Sequence, residues 1–301
     1  MELVKPGINL NFVGFMKWAV IFSVILTVLC IVSFFVRGLN YGIDFAGGAL
    51  IQIKFNKNLS PDALRRVLAE IGITDAVIQP FGMNEVVVRT AQVSSDIKGL
   101  GSRIEEALNA AHGKGSFAVQ RVEIVGPQVG RDLTRKALLA VIFSWLGMLI
   151  YIAFRFEFRH AVGGIVGVIH DVIVTLGIFS LFQIEFTLTI VAALLTIIGY
   201  SIHDTIVVFD RLRENMRKEE RKPLRHIMNI SVNQTLSRTI LTSLTTVLAI
   251  AALFVFGGAV IHDFAFALLV GVIFGTYSSV FVASPVVLAW ERYRPTKMRR
   301  K

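Results

Sequence analysis

The chain carries one cysteine, Cys30, in 301 residues. That excludes an intrachain disulfide and leaves the redox compartment open. Charge is thin as well. Asp, Glu, Lys and Arg make up 17% of the residues against 54% hydrophobic ones, and mean hydropathy is +0.66. Soluble domains rarely average so apolar. There is no His-Glu-x-x-His or comparable ligand spacing, which removes the usual zinc-enzyme signature. The residues before Asp204 are Gly199-Tyr200-Ser201-Ile202-His203, not the Gly-x-Gly context that an intramembrane aspartyl protease needs. Two short segments, Gln183–Phe186 and Gly258–Asp263, hold no Lys or Arg although the net charge is +10.

What is present is a set of long apolar runs. Six reach bilayer-spanning length, about 20 residues each. They are Trp18–Val36, Ala137–Phe154, Ala161–Phe182, Leu188–Phe209, Thr239–Gly257 and Phe264–Trp290. The first has no small-residue cleavage pattern behind it, so it reads as an anchor, not a signal peptide. The basic residues crowd beside alternate runs. Arg155, Arg159 and His160 follow the second, and Arg211, Arg213, Arg217, Lys218, Arg221, Lys222 and Arg225 follow the fourth. Arg292, Arg294, Lys297, Arg299, Arg300 and Lys301 close the chain. Against the two loops without cations, this distribution predicts cytoplasmic termini and one large extracytoplasmic loop. It also assigns the positive balance to a membrane surface and not to nucleic acid.

The expected divisions are a cytoplasmic segment 1–17, a first span 18–36, an exported domain with its joints 37–136, a five-span bundle 137–290 and a basic tail 291–301. Within the exported part, Ala49–Phe55 alternates as a strand. Pro61 then opens a helix to about Ile71, with Ser60 as its N-cap. Asp75–Phe81 and Glu85–Thr90 read as strands about a Gly82-Met83-Asn84 turn, Val93–Ala111 as a helix and Phe117–Val125 as a strand. The order β-α-β-β-α-β is the ferredoxin-like pattern. The fold class expected is therefore a polytopic α-helical membrane protein of six spans with an inserted α+β ferredoxin-like domain. That domain shows no nucleophile–base pair, metal spacing or phosphate loop, and reads as a binding module. Gly47-Gly48 before its first strand predicts a bend or close backbone approach. Val125–Gly130, with Gly126 and Pro127, is the second joint to the bundle, as hinge or as rigid connection.

Three His-Asp pairs occur, and their depths differ. His262-Asp263 sits at the mouth of the sixth run and reads as interfacial. Asp171, after His170, lies about 15 Å into the third run, and Asp204, after His203, about 9 Å from the end of the fourth, at 1.5 Å per residue. A carboxylate at such depth costs about 2.5–3.5 kcal/mol on insertion scales, so function is the default reading for Asp204. Asp171 stands between function and helix packing. Ser231, Thr235, Arg238, Thr242 and Thr245 recur at helical spacing on the fifth run, and Thr196, Tyr200, His203 and Asp204 on the fourth. They predict two facing polar stripes, with Asp204 and Arg238 ion-paired across a wet seam. Gly163 and Gly167, and Gly271, Gly275 and Ser279, have the small-xxx-small spacing of close helix packing.

These residues carry a resemblance. NYGIDFAGGALIQI (40–53), VGPQVG (125–130), IIGYSIHDTIVVFDRLREN (197–215) and SVNQTLSRTILTSLTT (231–246) occur in the order found in the SecF branch of the SecD/SecF family of the bacterial Sec protein-export machinery. The resemblance covers nearly the whole chain. It implies a fold related to resistance-nodulation-division transporters, with SecD supplying a further six spans. It implies SecD, the SecYEG channel with accessory Sec subunits, membrane lipid and the unfolded exported polypeptide as partners. The location implied is the inner membrane, and the role is a late step of translocation driven by the proton-motive force. No cofactor is implied; protons are the coupling ion, with sodium the open alternative. The family's key aspartate falls on Asp204 and its key arginine on Arg238. Tyr200, His203, Asp171 and Thr242 complete the expected proton pathway, and Asp44, Phe45, Gly47, Gly48, Gly126 and Pro127 the family motif. His203 departs from the Asn that many members carry. It either titrates near neutral pH or, the favoured reading, replaces an amide in hydrogen bonding. The rival function is a small-molecule or ion transporter of the same superfamily.

Overall fold

The structure, a computed structural model, describes residues 9–56, 61–80, 84–90, 99–113, 115–156, 158–219 and 222–293. Ser60, Gly82, Met83, Arg221 and the tail from residue 294 lie outside them. The described residues form two compact units.

The first unit gathers the described residues of Met1–Asn40, Ala140–Ile184 and Thr189–Lys301. Its helices are α1 (Phe12–Arg37), α5 (Pro127–Arg155, from Ala140 on), α6 (Phe158–Phe182), α7 (Leu188–Lys218), α8 (Leu224–Phe256), α9 (Ala259–Ser278) and α10 (Ser284–Tyr293). A π-helical turn, Ser279–Ala283, joins α9 to α10, so these make one continuous span. Among the described residues six helices are thus long and apolar enough to cross a membrane, as the hydropathy runs predict. They outrun the apolar stretches. α8 starts at Leu224, fifteen residues before its predicted apolar run, and α5 at Pro127, where the ring fixes the first helical φ without costing a needed N–H.

The spans are not equivalent. In the most apolar windows of α6, α7 and α9–α10, 56% of residues are buried; in α1, α5 and α8 the shares are 11%, 6% and 11%. The first three form the inside of the unit. Glycine lets them meet. A Cβ on Gly271 of α9 would lie 2.2 Å from Ile197 of α7, and one on Gly163 of α6 would lie 2.9 Å from the Ala283 carbonyl. These are packing sites, as their spacing predicts.

The second unit is Tyr41–Leu139 with Glu185–Leu188. It contains α2 (Ile43–Ala46), β2 (Gly48–Phe55), α3 (Pro61–Glu70), β3 (Val77–Pro80), β4 (Glu85–Thr90), α4 (Leu100–His112) and β5 (Phe117–Val125). The short strands β1 (Asn40–Tyr41) and β6 (Glu185–Phe186) pair separately. The main sheet has order β3-β4-β2-β5 and every pairing is antiparallel. That is the ferredoxin-like arrangement read from the strand order. Its core is the buried face of β2 (Ala49, Ile51, Ile53, Phe55) and β4 (Val86, Val88) under α3 (Leu64, Leu68) and α4 (Ile104, Leu108).

Candidate functional site

The polar atoms of the first unit converge where α6, α7, α8 and α9 meet. Asp204, on α7, is 3% exposed. Its Oδ2 accepts a hydrogen bond from Ser243 Oγ of α8 at 3.3 Å. That hydroxyl also meets Thr276 Oγ1 of α9 at 2.8 Å. One carboxylate therefore reaches two further helices through one pair of hydroxyls.

Asp171, on α6, has no exposed surface. Its Oδ2 accepts from Ser201 Oγ of α7 at 2.6 Å and from Ser278 Oγ of α9 at 2.7 Å. Its Oδ1 lies 3.0 Å from His170 Nδ1. One turn on, Thr205 Oγ1 of α7 meets Ser279 Oγ, just past the end of α9, at 2.9 Å. Ser279 opens the π turn, and Ser284 Oγ donates to its carbonyl at 3.1 Å. Such turns concentrate at functional places in helices.

The expected direct ion pair is not formed. Asp204 and Arg238 make no N···O contact of 4.0 Å or less, and the Arg238 side chain is exposed. The reason is rotational. The buried polar line of α8 is Ser231, Thr235, Thr239 and Ser243, a strict i, i+4 series. Arg238 and Thr242 sit about 100° round the helix from it and Thr245 about 160°; Arg238 and Thr245 are exposed and Thr242 half-buried. On α7 the same division holds. Asp204, Ser201 and Thr205 point inward, while Thr196 and His203 are exposed. Tyr200 is half-buried and donates to Thr246 Oγ1 of α8 at 3.3 Å. His203 makes no hydrogen bond among the described residues, so it does not replace an amide donor within this chain. His262 and Asp263 are both about half exposed.

The hydroxyls Ser201, Thr205, Ser243, Thr276 and Ser278 were not singled out by sequence reasoning. Ser, Thr and Gly at i, i+4 in a span signal close packing first. Only the carboxylates opposite mark them as ligands.

The motif residues gather in the second unit. Gly47 (φ +76°) brings its backbone against Pro127, where a Cβ would stand 3.2 Å from the proline Cα. Gly48 pairs with Val125 across β2 and β5. A Cβ on Gly130 would lie 2.8 Å from the Phe45 carbonyl oxygen. So the two joints predicted from glycine pack on each other. Gly126 itself meets nothing within 4 Å. The Phe45 ring stacks on Phe186, centroids 5.4 Å apart. Asp44 Oδ2 accepts the backbone N–H of Leu188 at 2.8 Å and so caps the first turn of α7. The Gly42 N–H donates to the Phe186 carbonyl at 2.9 Å, and Arg89 of β4 ion-pairs with Glu185. Glu185–Leu188 is thereby built into the second unit.

Among the described residues no three His, Cys, Asp or Glu side chains gather as a metal site would require.

Comparison with known proteins finds relatives along nearly the whole chain. The family described as protein export membrane protein SecD/SecF, C-terminal, matches residues 104–293, and the SecD/SecF GG motif matches residues 32–58. The protein translocase subunit SecF of Magnetococcus marinus is 49% identical over 292 residues, 96% of this chain and 94% of that one. The SecF of Escherichia coli O157:H7 is 42% identical over 294 residues, 97% and 91% of the two chains. The crystal structure of SecDF, a translocon-associated membrane protein from Thermus thermophilus, superposes with a TM-score of 0.86 at 41% identity. It is covered over 97% of this chain and 40% of its own length, so this chain spans under half of that protein. A structure of SecDF in a super-membrane-facing form matches at TM-score 0.73 with the same identity. The chain belongs to the SecD/SecF family of protein-export membrane proteins, among the SecF translocase subunits.

Proposed function

We propose that this chain works with a SecD partner to turn proton flow across the inner membrane into a late, outward pull on exported polypeptide at the SecYEG channel. The observation that carries the reading is Asp204: a carboxylate sealed within a span, held by one hydroxyl that it shares with a third helix. A proton arriving at Asp204 removes its charge and reverses what Ser243 must offer it. Ser243 then turns toward Thr276, or away from it, and the contact of α8 with α9 changes. In this reading Arg238, five residues before Ser243 on α8, swings from its exposed position toward an ionised Asp204. The pair closes with charge and opens without it. One charge crossing 100 mV releases about 2.3 kcal/mol, roughly a fiftyfold bias on a two-state element.

The exposed polar residues of α7 and α8, His203, Arg238 and Thr245 among them, support the partner. A polar face left toward lipid is costly, and a second six-span protein would cover it. The pull has a route as well. α7 carries Asp204, and its first residue, Leu188, is held by Asp44. A shift of α7 along its axis acts directly on Glu185–Leu188, which Arg89 and Gly42 also grip. The π turn after Ser278 gives the sixth span a place to repack. In this reading both termini are cytoplasmic and the ferredoxin-like unit is exported.

The test is reconstitution of the chain with SecD and the channel in proteoliposomes. Asp204→Asn and Arg238→Met should each remove the stimulation of export by an imposed proton gradient while leaving ATP-driven entry intact. Normal stimulation in both variants would refute the proposal. Replacing the proton gradient by a sodium gradient distinguishes the coupling ion.

A further inference from the structure

At the end of the bundle where α1 and α8 begin and α10 ends, the three helices leave a groove of about 720 Å³. Its floor is apolar, with Met16 and Val20 of α1 and Leu288 of α10. Its rim carries three cations, Lys17, Arg225 and Arg292. None has an acidic partner within 4.0 Å among the described residues. The one carboxylate on the rim is engaged elsewhere: Glu291 ion-pairs with Arg159, a buried residue at the start of α6. Most exposed cations of α7 and of the turn after it, by contrast, have partners. Arg211 and Lys218 hold Glu214, and Lys222 holds Glu219. Two exposed aromatics flank the groove, Trp18 at 74% and Tyr293 at 84% exposure, the residue types that settle at the headgroup level. The basic loops mark this end as the cytoplasmic face, where anionic lipid is enriched.

We infer that this groove is a binding site for an anionic phospholipid, its phosphate held by Lys17, Arg225 and Arg292 and an acyl chain laid along Met16, Val20 and Leu288. Charge complementarity selects this occupant. A protein segment with an apolar face would fill the floor but leave three cations without counter-charge. A zwitterionic lipid would bring its own cation to a rim already positive. The lipid ties the first helix to the ends of α8 and α10. Lipid composition would therefore act on the same two spans that carry Arg238, Ser243 and Thr276.

The test uses the full chain in detergent, with dioleoyl phosphatidylglycerol as the probe and dioleoyl phosphatidylcholine and inorganic phosphate as separate arms. Retained lipid is read by native mass spectrometry. The expectation is retention of phosphatidylglycerol over phosphatidylcholine by at least about tenfold, with millimolar phosphate unable to displace it. Each cation near the surface contributes about fivefold, so Lys17→Ala, Arg225→Ala and Arg292→Ala together should weaken retention by on the order of a hundredfold. Leu288→Trp, which fills the floor and keeps the charges, should weaken it too. Arg213→Ala, Arg217→Ala and Lys218→Ala together, at the end of α7, should change it less than about threefold. A photoreactive side chain at Val20 in native membranes should label phospholipid. Equal retention of the two lipids, displacement by phosphate, equal loss in the α7 control, or a protein adduct at Val20 in place of lipid would each overturn the assignment.

Discussion

Asp171 and Asp204 are two buried carboxylates on neighbouring helices, and they are furnished very differently. Asp171 has two hydroxyl donors within 2.7 Å and a histidine beside it, drawn from α6, α7 and α9. Asp204 has one hydroxyl at 3.3 Å, and that hydroxyl is shared. If Asp204 is the trigger proposed above, the supply of donors and not burial separates it from a staple. Asp171 binds three inner helices into one arrangement, and changing its protonation would disturb several bonds at once. Asp204 is held loosely enough to exchange one partner for another, which is what a site that loads and unloads a proton needs.

The sharpest way to break this comparison is to swap the roles by mutation. Asp204→Asn should abolish gradient-driven export, at least tenfold below wild type. Its thermal unfolding should shift by less than about 1 kcal/mol, since the amide oxygen still accepts from Ser243. Asp171→Ala should do the reverse. It strips the acceptor from two buried hydroxyls and should destabilise the bundle by about 1–3 kcal/mol, read as a lower Tm in detergent. The fraction that stays folded should retain gradient stimulation. If Asp171→Ala left Tm unchanged and removed coupling, Asp171 would be the trigger and the assignment would be inverted.

A smaller effect tests the connection out of the bundle. Asp44→Ala removes the cap from α7 and should cost about 0.5–2 kcal/mol. If force passes through Leu188, export driven by the gradient should fall by more than the loss of stability explains. Restoring Tm with a compensating change elsewhere should not restore export. Recovery of both together would leave Asp44 a structural cap only.

Much of this was readable before the structure. Six spans follow from runs too long and apolar for anything else, and the ferredoxin-like order from alternation in Ala49–Phe55 and Phe117–Val125. Asp204 is legible because it is the one carboxylate in the apolar run between Glu185 and Asp210. Arg238 was misplaced for a definite reason. Ser231 and Thr235 begin two helical lines, one through Thr239 and Ser243, the other through Arg238, Thr242 and Thr245. Periodicity admits both. Only the neighbours α7 and α9 decide which one faces inward. The hydroxyls of α9 were hidden behind their own packing signal, and the Asp44 cap joins residues 144 positions apart, beyond any local pattern.

The buried line of α8 offers the finest test. Ser243 and Thr239 lie one turn apart, both under 10% exposed. Ser243 serves Asp204, whereas the Thr239 Oγ1 has no hydrogen-bond partner among the described residues. A buried hydroxyl without a partner is a cost that a same-sized apolar group removes. Thr239→Val should therefore hold stability or raise it by up to about 1 kcal/mol, with export unchanged. Ser243→Ala should keep the fold and move the pH at which gradient stimulation is half-maximal, because it deletes the one hydroxyl that Asp204 must exchange. If Thr239→Val also moved that midpoint, the loosely held acid would draw on the whole stripe and not on one residue of it.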